Sequence, residues 1–315
     1  MNAILVAVDG ELAGDWANAF HRQAGAGRLR TWPDAVGDTK DISVACVWRA
    51  PHGLLGSLPN LKLIVNLGAG ADHLLTDPSL PDVPIVRAAH ADLSMRVTEY
   101  VVLHTLRYHR RQPLYDEQQR ARIWKVHDQP AASEVAVGVM GLGVIGAEAA
   151  RVLARIGFKV AGWSAREKHI DGIDTFHGAP ALDAFLGRTE ILICLLPLTA
   201  PTAGILNQTL FKKLKRDGAA GGAFLINAGR GGLQVDADIL AALNDGMLAG
   251  ATLDVFPEEP LPQASPMWTH PKVTVTPHNA GDILPEIFAA DVMRQIGRLE
   301  RGEPLLNVVD RKRGY

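Results

Sequence analysis

Three side chains of different chemistry each follow a short apolar run in the C-terminal half of the chain. They are Arg230 in Asn227-Ala-Gly-Arg230-Gly231-Gly232, Glu259 in Asp254-Val-Phe-Pro-Glu-Glu259-Pro260, and His278 in Thr276-Pro-His278-Asn279. In an open parallel α/β sheet, ligands bind beyond the carboxyl ends of the strands. One edge would then gather a guanidinium, a carboxylate and an imidazole. The imidazole can deliver a proton near neutral pH. A carboxylate on its far ring nitrogen fixes the tautomer and favours the imidazolium. The guanidinium can clamp a substrate carboxylate and polarise the carbonyl beside it, a geometry that lysine copies poorly. Together the three suit hydride reduction of a 2-oxo acid, in which an alkoxide must be protonated as it forms. Singly, each has a plainer reading: Arg230 as a helix cap, Glu259 as a surface loop residue, His278 as a satisfied buried ring.

A hydride needs a carrier, and the chain has a place for one. Val135-Ala-Val-Gly-Val-Met-Gly141-Leu-Gly143-Val-Ile-Gly146 is a strand-like run entering G-x-G-x-x-G, with a helix-like segment at 147–156 behind it. Gly141 permits the tight turn, Gly143 lets the backbone approach a pyrophosphate, and Gly146 lets the helix pack close to the strand. Unpaired N–H groups at the helix start would face the phosphates. The next strand ends Trp163-Ser164-Ala-Arg166, without the acidic residue that normally holds an NAD ribose. Ser164 and Arg166 suit a 2′-phosphate instead, with Lys168 close by and Glu167 as a contrary charge. The expectation is therefore NADP(H) in preference to NAD(H), NAD(H) remaining possible.

Elements that place these residues can be read from the apolar rhythm. Strand-length runs at 4–8, 29–32, 42–48, 61–67 and 85–87 precede a helix-like segment at 94–111. After a polar stretch at 112–133, runs at 135–140, 159–163, 190–196, 223–227, 250–255 and 272–276 alternate with helix-like 147–156, 207–214 and 236–244, and 284–300 closes the pattern. Such alternation predicts α/β architecture with two doubly wound parallel sheets. The polar stretch reads as a surface excursion, or as an arm packing on a second subunit, since Trp124 has no evident core to enter.

Composition narrows the partners. Thirty-two basic residues against 34 acidic ones give a net charge of −2, so there is no global field for nucleic acid or anionic lipid. The apolar runs are too short for a membrane span, and the N-terminus lacks the basic region of a secretory signal. Cys46 and Cys194 sit in separate apolar runs, arguing against a disulfide framework or a cysteine-based zinc site. His104 and His109 do not share a helix face, so no metal is expected. A cytoplasmic protein is the expectation.

The chain resembles the D-isomer-specific 2-hydroxyacid dehydrogenases over nearly its whole length. The resemblance rests on Leu67-Gly-Ala-Gly-Ala-Asp-His73, the glycine loop, Leu195-Leu-Pro-Leu-Thr-Ala-Pro-Thr202, Asn227-Ala-Gly-Arg-Gly231, Asp254-Val-Phe…Glu-Pro260 and Thr276-Pro-His278. Within the family, the Trp-Ser-x-Arg strand end, Ser265-Pro-Met-Trp268 and the C-terminal 310–315 look like the glyoxylate/hydroxypyruvate reductase A group. It implies a Rossmann cofactor domain (101–283) inserted in a flavodoxin-like substrate domain (1–100 and 284–315), and a homodimer. It implies Arg230, Glu259 and His278 as the catalytic trio, with Arg230 and His278 also touching substrate. Backbone N–H groups near Ala69 and Gly70 would grip the substrate carboxylate, as a glycine-rich turn after a strand can. The cofactor would lie against Gly141, Gly143, Val144, Ile145, Gly146, Ser164, Arg166, Leu196, Pro197, Thr202 and Ala228, with Asp254 facing the nicotinamide carboxamide. Trp48 and Arg49, at a strand end, would face the same cleft, Arg49 either as a second carboxylate contact or as a rim salt bridge.

Two departures from the family pattern stand out: a loop at 215–222 longer than usual, and Asn279 where an apolar residue is customary. The implied activity is reduction of small 2-oxo acids such as glyoxylate and hydroxypyruvate. Alternatives are an NAD-dependent reductase of bulkier 2-oxo acids, and a non-catalytic dinucleotide-sensing protein like the corepressors built on this fold.

Overall fold

The computed structural model describes residues 3–10, 13–24, 27–68, 70–87, 90–282 and 284–314. It divides into two compact units, 1–91 with 283–315, and 92–282.

In the first unit, β1 (Ala3–Val8), β2 (Leu29–Thr31), β3 (Ile42–Trp48), β4 (Leu63–Asn66) and β5 (Ile85–Arg87) form one parallel sheet in the order β2-β1-β3-β4-β5. That is the flavodoxin-like order expected of a doubly wound sheet. Every residue of β1, and all of β3 but Trp48, is buried, because helices cover both faces. Helix α1 (Ala13–Ala24), not foreseen in the sequence, buries Trp16, Ala19 and Phe20, the i, i+3, i+4 stripe of an amphipathic helix. The short α2 (Asp72–Leu75) follows β4.

The second unit opens with α3 (Ala91–His109) and α4 (Gln112–Arg120). Its strands are β6 (Ala136–Met140), β7 (Lys159–Ser164), β8 (Asp174–His177), β9 (Ile191–Cys194), β10 (Phe224–Asn227), β11 (Gly250–Leu253) and β12 (Val273–Val275). They pair, all parallel, in the order β12-β11-β10-β9-β6-β7-β8. Counted within this unit, the order is 3-2-1-4-5-6-7, the Rossmann arrangement, and it reverses between β6 and β9. The helices between are α5 (Val144–Ile156), α6 (Leu182–Leu186), α7 (Gln208–Phe211) and α8 (Asp236–Asn244). The two-sheet α/β class read from the sequence is borne out.

Helix α9 (Pro285–Glu300) returns the chain to the first unit, where Phe288 meets Trp16 edge-on at 6.2 Å between ring centroids. Arg28 pairs with Glu300 at 2.6 Å, and the C-terminal segment bonds β5 through Val309 N–H to the Ile85 carbonyl. In the other unit, the long loop at 215–222 has a structural task. It covers the buried carboxylate of Glu190, which accepts hydrogen bonds from the N–H groups of Ala220 (2.6 Å) and Ala136 (3.3 Å). The register past it holds, with Phe224 opposite Ile191 and Asn227 opposite Cys194.

His104, buried in α3 against Tyr100, makes stability depend on pH. Burial, with a smaller contribution from the Arg107 charge, lowers its pKa to about 4. The unfolded chain then binds more protons than the folded one between about pH 6.5 and 4. Stability is therefore complete above that window and falls as pH drops through it, by on the order of 2–3 kcal/mol. Denaturant titrations at about pH 7 and pH 4.5 should show a smaller acid loss in His104→Leu than in the wild type. Equal losses in the two proteins would remove His104 as the source.

Candidate active site

At the C-terminal edge of the second unit's sheet, the turn after β6 is shaped by three glycines with three different surroundings. Gly141 has φ +102°, and a Cβ there would lie 2.6 Å from the Leu195 carbonyl oxygen. A Cβ on Gly146 would lie 1.8 Å from the Gly141 carbonyl oxygen, so α5 packs here only through glycine. A Cβ on Gly143 would meet nothing within 4 Å. The first two glycines are demanded by the protein itself. The third, which caps α5, adjoins open space where the helix start presents its N–H groups. These residues fit a dinucleotide pyrophosphate. Val144, 74% exposed, and half-buried Ile145 begin the helix beside this space.

At the end of β7, Ser164 is buried and its hydroxyl donates to the Arg166 carbonyl at 2.6 Å. The sequence reading has that hydroxyl donating to a 2′-phosphate; here it tightens the turn that carries Arg166. Arg166, Glu167 and Lys168 are all exposed. Beyond β9, Thr202 folds the Leu195–Thr202 segment onto itself. Its hydroxyl donates to the Pro197 carbonyl at 2.7 Å and accepts from Thr199 N–H at 2.8 Å. Leu196 is buried beside it, and Ala228 bonds back through its N–H to the Cys194 carbonyl.

The Arg230 turn is held from beneath by Asn227, fully buried at the end of β10. Its amide donates to the Arg230 carbonyl (3.2 Å) and to Gln234 Oε1 (2.8 Å), and its oxygen accepts from Gly229 N–H at 3.1 Å. Arg230 gives one of its donors to the Gly229 carbonyl at 2.7 Å. A Cβ on Gly231 would lie 1.9 Å from the Phe256 carbonyl carbon. Only glycine lets this turn sit against the segment that leads to Glu259.

Glu259 and His278 meet. Glu259 Oε2 lies 2.7 Å from His278 Nδ1, and Oε1 accepts the Phe256 N–H at 3.0 Å. The carboxylate is thus braced at one oxygen and engages imidazole with the other. His278 has φ +55°, a left-handed conformation that costs a non-glycine residue about 1–2 kcal/mol. Asp254, buried after β11, secures that turn. It accepts from the Thr276 hydroxyl (2.6 Å) and the N–H groups of Asn279 and Ala280 (3.0 Å each). Asn279 therefore acts through its backbone, and its side chain is exposed.

The first unit carries its own strand-end cluster. Arg49, with φ +52°, places its guanidinium carbon 5.9 Å from the centre of the Trp48 ring, and Trp48 meets His73 edge-on at 5.4 Å. A Cβ on Gly68 would lie 2.0 Å from that indole. Asn66, fully buried, donates to the carbonyls of Gly68 (2.8 Å) and Gly70 (2.9 Å). Ala69 lies outside the described residues. Sequence reasoning passed over Asn66 and treated Asn227 only as part of a motif; the signal shared by both is an asparagine ending an apolar strand ahead of a glycine-rich turn.

This pairing of a dinucleotide turn with an Arg, Glu and His set on one sheet edge defines a nicotinamide-dependent oxidoreductase architecture. Residues 102–280 match the family described as D-isomer specific 2-hydroxyacid dehydrogenase, NAD binding domain. The chain belongs to the D-isomer-specific 2-hydroxyacid dehydrogenases, as the resemblance implies. It is 40% identical over 309 residues to glyoxylate/hydroxypyruvate reductase A of Yersinia enterocolitica, covering 96% of each chain. Among solved structures it is similar to the NADPH-dependent glyoxylate/hydroxypyruvate reductase of Sinorhizobium meliloti in complex with NADP and sulfate. That match has a TM-score of 0.95 and 43% identity, and covers all of both chains. A probable 2-hydroxyacid dehydrogenase of Rhizobium etli, in complex with NADP, HEPES and tartaric acid, gives a TM-score of 0.92 and 42% identity over 99% of each chain.

The contrast among the glycines is testable. Gly231→Ala should cost roughly 1–3 kcal/mol of stability by overpacking against the Phe256 backbone, and kcat/KM should fall by more than tenfold. Gly143→Ala should leave stability within about 0.5 kcal/mol and weaken dinucleotide binding. Urea denaturation and fluorescence titration of NADPH distinguish the two. Equal destabilisation by both would refute the assignment of Gly143 to a ligand.

Proposed function

We propose that the chain reduces small 2-oxo acids, glyoxylate and hydroxypyruvate among them, to 2-hydroxy acids, with NADPH as the coenzyme. The observation that carries this reading is the 2.7 Å contact of His278 Nδ1 with Glu259, on the sheet edge that also bears the glycine turn. Bound NADPH supplies the hydride that attacks the carbonyl carbon. Arg230 holds the substrate carboxylate and draws electron density toward the carbonyl oxygen. His278, its Nδ1 engaged by Glu259, gives the Nε2 proton to that oxygen as charge develops. Asp254 retains acceptor capacity on Oδ2 for the nicotinamide carboxamide, since a carboxylate offers about four lone-pair sites. Leu196, Pro197, Thr202 and Ala228 border the coenzyme. Backbone N–H groups around Gly70, with Trp48 and Arg49, contribute substrate contacts.

The choice of NADPH rests on the β7 end, which has Ser164 and Arg166 and no carboxylate at the ribose position, and on the relatives whose structures hold NADP. Glu167, one residue beyond Arg166, is the group that would favour NADH.

Assembly as a homodimer is part of the same reading. Trp124 is fully exposed, and Val126 and Ile123 are 82% and 53% exposed, an apolar run that a second copy would cover. Two free, buried cysteines suit a reducing, cytoplasmic setting.

Steady-state kinetics with glyoxylate, hydroxypyruvate, pyruvate and phenylpyruvate, each with both coenzymes, tests the whole proposal. Arg230→Ala should lower kcat/KM by more than about a hundredfold, roughly 3 kcal/mol. Arg166→Ala should raise KM for NADPH about tenfold or more with little change for NADH, and added salt should narrow the preference. Absence of NADPH oxidation with every acid would leave the dinucleotide-sensing alternative. In sedimentation, Trp124→Asp should shift dimer toward monomer; a monomeric wild type at micromolar concentration would remove the dimer.

A further inference from the structure

We infer that Tyr100 is a positioning residue for His278, acting through a directed hydrogen-bond chain that ends on the turn carrying the imidazole. The inference rests on the reading of His278 as the proton donor.

The turn from Thr276 to Ala280 is fixed on both sides of His278 by one carboxylate. Asp254 accepts from the Thr276 hydroxyl two residues before the imidazole, and from the Asn279 and Ala280 N–H groups directly after it. The Thr276 hydroxyl has a single proton, and a carboxylate only accepts. That proton therefore goes to Asp254. The Tyr100 hydroxyl lies 2.7 Å from the same Thr276 oxygen, so it must be the donor there. The order is Tyr100 to Thr276 to Asp254, with no ambiguity of direction.

Chains of this kind polarise each bond they contain. Donation from Tyr100 strengthens the Thr276–Asp254 bond and holds the Thr276 side chain in the rotamer that makes it. Thr276 is joined to His278 by more than sequence, because His278 N–H donates to the Thr276 carbonyl at 3.0 Å. His278 keeps a left-handed backbone (φ +55°) only while its neighbours are fixed. The Tyr100 ring is itself fixed, packed on His104 at 4.4 Å between centroids within α3. A helix outside the sheet thus sets the position of the imidazole, and a displacement near 1 Å at a reacting group is costly to rate.

Asp254 is a poor place to test this, because it is also assigned a contact to the nicotinamide. Tyr100 and Thr276 are separable from that role. Tyr100→Phe should lower kcat about three- to tenfold and Thr276→Val about ten- to a hundredfold. In both, KM for NADPH and its dissociation constant should stay within about twofold of wild type. Thr276→Ser, which restores the hydroxyl, should return kcat to within about twofold. The His278 Nδ1–H signal shared with Glu259, followed by 15N-edited NMR of the whole protein, should shift or broaden in Tyr100→Phe and Thr276→Val and not in Thr276→Ser. Wild-type kcat and an unchanged imidazole signal in both deletions would overturn the inference, as would a loss confined to KM. His278→Ala retaining wild-type kcat would instead overturn the proton-donor reading, and the NMR comparison would then decide the positioning by itself.

Discussion

A parallel strand that stops inside the protein leaves the next turn with backbone groups that water cannot reach, and each must find a partner. Three buried side chains meet that constraint here, and the turns that follow them depend on it. Asn66 ends β4 and takes the carbonyls of Gly68 and Gly70. Asn227 ends β10 and takes both a carbonyl and an N–H of the Arg230 turn. Asp254 follows β11 and takes two N–H groups and a hydroxyl beside His278. Asn227, with donor and acceptor, serves a turn that presents both kinds of group, and the Asn66 amide serves one that presents carbonyls; aspartate, an acceptor only, serves the turn that presents N–H and O–H. The residue type at each strand end follows from what its turn has left unpaired.

Much of this was legible in the sequence because it is local. The glycine turn, the strand ends bearing Arg230, Glu259 and His278, and the alternation that yields two parallel sheets are patterns within a few tens of residues. Helix α4 was missed because 112–120 is so polar that only Gln118 is buried, leaving little apolar period to read. Strand β8, Asp174–His177, is an edge strand with no fully buried residue and so carries no apolar run. The Ser164 hydroxyl has a local partner in the Arg166 carbonyl two residues on, a backbone contact that the motif does not display. The Tyr100–Thr276 bond joins residues 176 apart in sequence, and no spacing rule reaches that far.

The glycines separate what the fold requires from what a ligand requires. Gly141, Gly146 and Gly231 face protein backbone at distances no side chain could share. Gly143 faces nothing. All four carry the same letter in a motif, and only their surroundings distinguish the three set against backbone from the one that leaves room for something else. Of the four, Gly143 alone adjoins space that a ligand could fill.

Charge at the proposed site is arranged to be local, in keeping with a chain whose net charge is close to zero. Arg230 is oriented by a bond from its guanidinium to the neighbouring Gly229 carbonyl, which fixes the plane in which its remaining donors lie. Glu259 is braced by a backbone N–H, which fixes its carboxylate beside His278. Each charged group is thus held by the main chain before substrate arrives. That arrangement places the reorganisation cost in folding and not in the reaction, which is the physical content of a preorganised site. It also explains why the turns themselves, with Asn227, Gly231 and Asp254, must be as specific as the three side chains they present.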